Sequence, residues 1–129
     1  MRDVVDTSVL VDHLRGDQRA TNLLRSLFGR GGVAASVMTR VEILAGMRAP
    51  EKRATERLLA LIDWIPVNVD LADIAGEMAR RHRASHPGVD SVDYVIAATT
   101  EVLGAQLHTR NVRHFPMFKG LRDAYATTP

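Results

Sequence analysis

The stretch that decides the fold is Arg2-Asp3-Val4-Val5-Asp6-Thr7-Ser8-Val9-Leu10. Arg2–Asp6 reads as a short buried strand, and Thr7–Leu14 as a helix that Gly16 stops. The same alternation continues down the chain. Arg19–Phe28 is an amphipathic helix ended by Gly29, Gly31 and Gly32, Val33–Ala35 is a short strand, and Ser36 reads as the N-cap of a helix to about Ala45. Pro50 opens a helix to about Asp63, Trp64–Val69 is a third strand, and Leu71–Ala84 is a helix before His86-Pro87-Gly88 breaks the chain. Asp90 starts a helix to Leu103, Gly104 caps it, and Ala105–Thr109 is a fourth strand. The tail, Val112–Pro129, is expected to hold a short helix and a fifth strand near Leu121–Ala124.

Strands that alternate with helices predict a parallel α/β sheet covered on both faces. In such sheets the functional crevice lies beyond the C-terminal ends of the strands, where the strand order reverses. Chemistry is therefore expected just after Val5, Ala35, Val69 and His108.

Composition narrows the classes of function. The 129 residues, with no internal repeat or Gly/Ser linker, are expected to form one domain spanning 1–129. Apolar residues at 46% and charged residues at 25% are ordinary globular values. The absence of cysteine excludes a disulfide scaffold, a thiolate zinc site and a cysteine nucleophile together. No apolar run approaches the roughly 20 residues a membrane helix needs. Met1-Arg2-Asp3 leads straight into Val4-Val5 with an acid at Asp6, which does not read as a signal peptide, so a cytoplasmic protein without membrane contact is expected. The net charge is +2 and the pI near 9.5, and every basic residue except Lys52 and Lys119 is arginine. A mild basic excess is compatible with a polyanionic partner without demanding one.

Four polar groups fall at the expected crevice. Asp6 either caps the helix that follows it or faces the crevice, with hydroxyl residues Thr7 and Ser8 beside it. Glu42 sits on the helix after Ser36, whose apolar stripe reads as Val37, Val41, Leu44 and Ala45; helical spacing places Glu42 roughly 100° from the middle of that stripe. Asp93 shares one helical face with Ile96, Ala97 and Thr100, and an acid on an inward face needs a partner, which a metal ion can be. The other reading of Asp90 and Asp93 is an Asp-x-x-Asp variant of the capping box. Thr109-Arg110-Asn111 follows the fourth strand, either as a plain turn or as a group that orients water or a carboxylate. Carboxylates are oxygen ligands suited to Mg²⁺ or Mn²⁺, and such ions activate water and neutralise charge on a phosphodiester.

These blocks carry a resemblance. Asp6-Thr7-Ser8 after a hydrophobic strand, Val41-Glu42-Ile43-Leu44-Ala45-Gly46, Asp93-Tyr94-Val95-Ile96-Ala97-Ala98 and Thr109-Arg110-Asn111-Val112-Arg113-His114-Phe115 have the order and rough spacing seen in PIN-domain proteins. The chain particularly resembles the VapC-type toxins of bacterial type II toxin–antitoxin pairs, over essentially its whole length. The resemblance implies a PIN-like three-layer α/β fold with a five-stranded parallel sheet flanked by helices. It also implies an Mg²⁺- or Mn²⁺-dependent endoribonuclease that hydrolyses RNA with metal-activated water, leaving 5′-phosphate and 3′-hydroxyl ends. Its partners would be an inhibitory antitoxin protein and RNA, in a homodimer or a toxin–antitoxin hetero-oligomer. Carried over by position, Asp6, Glu42 and Asp93 are metal ligands, and Asn111 stands where many members have a fourth acid. One metal or two is left open by Asn111, and Asp90 is a weak candidate to compensate.

Other groups weigh less. His82 and His86 have a zinc-like spacing but lack a third ligand, and Arg80, Arg81 and Arg83 read as a solvated helix face. Arg110, Arg113 and His114 are better placed for phosphate contact, while Leu10, Leu14, Leu23, Leu24 and Leu27 read as core. Two competing functions stand beside the ribonuclease. One is a catalytically weak module that acts through an antitoxin complex and autoregulation on DNA. The other is a metal-dependent phosphatase, disfavoured because its usual second Asp is here Ser8.

Overall fold

Val4 and Val5 are both fully buried, yet they belong to two different cores, because neighbouring residues of a strand face opposite sides of a sheet. The computed structural model, which describes residues 2–125, has helices on both sides of that sheet. Its elements run β1 (Asp3–Val5), α1 (Thr7–Leu14), α2 (Gln18–Gly29), β2 (Ala34–Ser36), α3 (Val37–Ala45), α4 (Lys52–Leu61), β3 (Asp63–Ile65), α5 (Val69–His82), α6 (Ser91–Val102) and β4 (Gln106–His108). Short 3₁₀ turns cover Ala49–Glu51 and Val112–His114.

The strands are parallel, in the order β3-β2-β1-β4. Chain order therefore reverses at β1, which lies between β2 and β4. On one face Val5 and Ala35 pack with Leu10, Leu24, Leu27 and Leu58 of α1, α2 and α4. On the other, Val4, Ala34 and Leu107 meet Ile96 and Ala97 of α6, and α5 packs outside α6 through Leu71 and Ala75. The close approach of α6 follows from its small residues: Ala97, Ala98 and Thr99 are completely buried.

β1 and β4 are aligned with Asp3 opposite Gln106, Val4 opposite Leu107 and Val5 opposite His108. A polar cluster sits on this pair. Asp3, 6% exposed, accepts from Arg30 at 2.9 Å and pairs with His108 Nε2 at 2.9 Å.

Two expectations need correction. The sheet has four strands among the described residues, and Leu121–Ala124 is irregular chain. Ala124 N donates to Thr109 O at 2.9 Å, but Leu121 and Ala124 pack into cores on opposite sides of the sheet, so their burial needs no ladder. The part of the tail beyond residue 125 lies outside the described residues. The apolar stripe read on α3 is not its core face either: Val41 is 56% and Leu44 45% exposed, whereas Thr39 and Ile43 are buried. Thr39 can turn inward because its hydroxyl meets Thr7 Oγ1 at 3.0 Å, which leaves the more apolar side of α3 to solvent.

Capping begins the helices where the residue types predict. Ser36 accepts from Met38 N, and Asp17, which caps α2, accepts from Arg19 N at 2.9 Å. The Arg19 guanidinium, with help from the backbone N–H groups, holds the Asp17 carboxyl down at about 2. A carboxyl that is depressed in the folded chain adds stability above its unfolded value near 3.8, and that contribution is lost as pH falls through about 2. Asp17→Asn is therefore expected to be less stable than the parent at pH 6, with the gap closing between about pH 4 and pH 2 in parallel melting curves.

Candidate metal centre

The reversal of strand order at β1 opens a cleft at the C-terminal ends of β1, β2 and β4, as expected for a parallel sheet. Its volume is about 440 Å³, and Asp6, Glu42, Asp93 and Asn111 all line it. Four separate stretches of sequence thus deliver the four residues to one place.

Asp6 is both a cap and a cleft residue. As N-cap of α1 its Oδ1 accepts from Thr7 N at 2.8 Å, and its Oδ2 accepts from Ser8 Oγ at 2.9 Å and Thr109 Oγ1 at 2.7 Å. Its backbone N–H bonds His108 O, so the carboxylate is fixed to the ends of β1 and β4 together. With 4% exposure, it is a buried acid satisfied by donors from three residues.

Glu42 reaches the cleft from α3 and stays exposed; Thr7 Oγ1 donates to its Oε1 at 2.6 Å. Asp93 arrives on the inward face of α6, 8% exposed. It forms the reciprocal capping box with Asp90: Asp93 N donates to Asp90 Oδ1 at 3.0 Å, and Asp90 N to Asp93 Oδ2 at 3.1 Å. Its Oδ2 also lies 3.3 Å from His114 Nδ1. Capping and cleft lining therefore coexist in Asp93. Burial pushes its carboxyl up to about 6, with the nearby Asp90 charge adding to the rise and His114 opposing it. Asn111 is exposed; its backbone N–H donates to Thr109 Oγ1 at 2.9 Å, and its side chain makes no cap bond to the 3₁₀ turn it precedes.

Among the described residues no three of these side chains already form a cage for a cation. Each carboxylate spends its oxygens locally instead, on Thr7, Ser8 and Thr109, on Thr7 again, or on Asp90 and His114. The donors are nevertheless all oxygen, and two of them, Asp6 and Asp93, are buried acids, which suits a hard divalent cation. The residues present fit such an ion.

Asp12 and Tyr125 escaped the sequence reading. Asp12 lines the same cleft, one helical turn after Ser8, and that spacing of four is the signal that would have found it. His82 and His86 touch edge to face at 5.9 Å, away from the cleft.

The comparisons bear on the family and the fold. The chain belongs to the PIN-domain family, whose match spans residues 4–118. Within that family it is similar to Ribonuclease VapC19 of Mycobacterium tuberculosis, 49% identical over 95% of this chain and 98% of that protein. Ribonuclease VapC10 of the same organism is 44% identical, over 95% of this chain and 92% of that one. In fold it is similar to a chain of a toxin–antitoxin complex from Klebsiella pneumoniae, with a TM-score of 0.78 at 23% identity, over 95% of this chain and 98% of the other. PIN-domain ribonucleases generally depend on a divalent metal. Among the described residues, no helix is long and apolar enough to cross a membrane.

Proposed function

We propose that this chain is the toxin of a type II toxin–antitoxin pair, an endoribonuclease that uses Mg²⁺ or Mn²⁺ and is inhibited by a cognate antitoxin protein. One observation carries the reading. Asp6, Glu42, Asp93 and Asn111 line one cleft in a PIN-domain chain that is 49% identical to a protein named a ribonuclease. The fold shared with a chain of a toxin–antitoxin complex supports the partner. We take residues 1–129 to act as one domain in the cytoplasm, in a homodimer or a hetero-oligomer with the antitoxin.

Asp6 and Asp93 are the residues that would hold the cation, with Glu42 completing the set. When bound, the cation supplies activated water and neutralises the charge that builds on the phosphodiester. The chain itself supplies orientation. Ser8 and Thr109 fix the Asp6 carboxylate, Thr7 tethers Glu42, and Asp90 N–H holds Asp93 at the cleft wall. Asn111 brings an amide to the cleft in place of a charge.

The test uses purified protein freed of antitoxin, cellular RNA and a phosphate monoester. RNA cleavage with 5′-phosphate and 3′-hydroxyl ends is expected with Mg²⁺ or Mn²⁺, to stop with EDTA, and to return with excess cation. Cleavage that ignores EDTA, or monoester turnover with intact RNA, would overturn the reading.

A further inference from the structure

Arg110 is held by groups from two separate parts of the chain, Ser8–Asp17 and Tyr125. Its NH1 donates to Asp12 Oδ2 at 2.8 Å and lies 4.0 Å from Asp17 Oδ2. The guanidinium lies over the Tyr125 ring, 5.3 Å from the centroid, and the Tyr125 hydroxyl donates to the same Asp12 oxygen at 2.5 Å. The Arg110 backbone N–H donates to Ser8 Oγ, which in turn donates to Asp6. A side chain that usually loses much rotamer freedom on binding is therefore already set in place.

Its hydrogen-bonding capacity is not used up. An arginine carries five N–H donors; carboxylates meet only NH1, Nε is buried without an acceptor, and the NH2 group is left to meet a phosphate oxygen. The side chain is 25% exposed and lines the cleft beside five carboxylates, those of Asp6, Asp12, Glu42, Asp90 and Asp93. Such a cleft repels a polyanion. A planar guanidinium at its wall is the group suited to receive phosphate oxygens there.

We propose that Arg110 binds a phosphate oxygen of RNA next to the scissile bond, and that Tyr125 with Asp12 is the positioning pair that fixes the guanidinium for this contact. The proposal rests on the ribonuclease reading above. It makes Tyr125, outside the four stretches that deliver the candidate ligands, part of substrate recognition.

Steady-state cleavage of an RNA by the full chain with Mg²⁺, over a series of KCl concentrations, tests it. Arg110→Ala is expected to raise KM about tenfold while kcat changes less than about threefold, the pattern of a contact made equally in ground and transition states. It also lowers the salt slope of 1/KM by one phosphate contact, about 0.7 on a single strand. Arg110→Lys keeps the slope and recovers KM in part, because an ammonium lacks the planar fork. Tyr125→Phe keeps the ring and loses the hydroxyl; it raises KM about threefold at unchanged slope and has no further effect in an Arg110→Ala background.

An Arg110→Ala variant with the parent's KM and slope overturns the proposal, and so does a Tyr125→Phe effect that persists undiminished without Arg110. If the parent leaves RNA intact with the cation present, the ribonuclease reading itself falls and takes the proposal with it. Thermal melts confirm that each variant is folded.

Discussion

Asp6→Asn is expected to lower RNA cleavage by at least about 100-fold while the protein keeps its fold. Groups that merely support a metal ligand cost about 10- to 100-fold when lost, so a proposed direct ligand should cost more. Stability should respond far less. Asn is as good an N-cap as Asp, and its amide oxygen still accepts from Thr7 N–H. The amide nitrogen would then face the hydroxyls of Ser8 and Thr109, which can rotate to accept from it. Asp6→Ala is the harsher change, losing about 1 kcal/mol of cap and stranding two hydroxyls. Initial rates at saturating Mg²⁺, read beside melting curves, separate the roles. An Asn variant with more than about a tenth of the parent rate would leave Asp6 as a cap and nothing else.

The second expectation is that Asp93→Asn moves activity and stability in opposite directions. Cleavage should again fall at least about 100-fold. In EDTA at pH 7.5, however, the variant should melt a few degrees higher than the parent. The carboxylate of Asp93 is ionised there although burial pushes its pKa up to about 6, so the folded chain carries the cost of a buried charge. Asn removes that charge and still accepts from Asp90 N–H, a gain that exceeds the loss of the half-exposed His114 contact. Function held at the expense of stability is the usual signature of an active site. A variant that melts lower than the parent without metal would mean that Asp93 serves the fold, not the cation.

Much of this was legible because local chemistry and global topology agree. Two β-branched residues ending in an acid can be a strand buried on both faces, and the alternation that follows leaves few topologies open. Asp93 was legible because Ile96, Ala97 and Thr100 lie on its face of α6, and all three are buried. The face of α3 was not, since periodicity marks the more apolar side and cannot register that a threonine hydroxyl finds a partner inside. Leu121–Ala124 is not a strand, because packing on the two cores and one bond from Ala124 N to Thr109 O satisfy it without a ladder. Asp12 and Tyr125 meet across 113 positions, a distance at which no pattern in one sequence can pair them.

The contacts of Asp3 with His108 and Arg30 tie the register of β1 and β4 to the geometry of the cleft. If β4 slid by one residue against β1, its side chains would change faces, and Asp3 would lose His108 while still buried. Leaving a buried carboxylate short of a partner is among the larger penalties a single residue can impose. A slide of two residues would restore the faces but shift Thr109 about 6.6 Å along the strand, out of hydrogen-bond reach of Asp6. The contact from Asp3 at the start of β1 to His108 at the end of β4 thus fixes the register that brings the Thr109 hydroxyl to Asp6, and a chain that makes it has already aligned the mouth of the cleft.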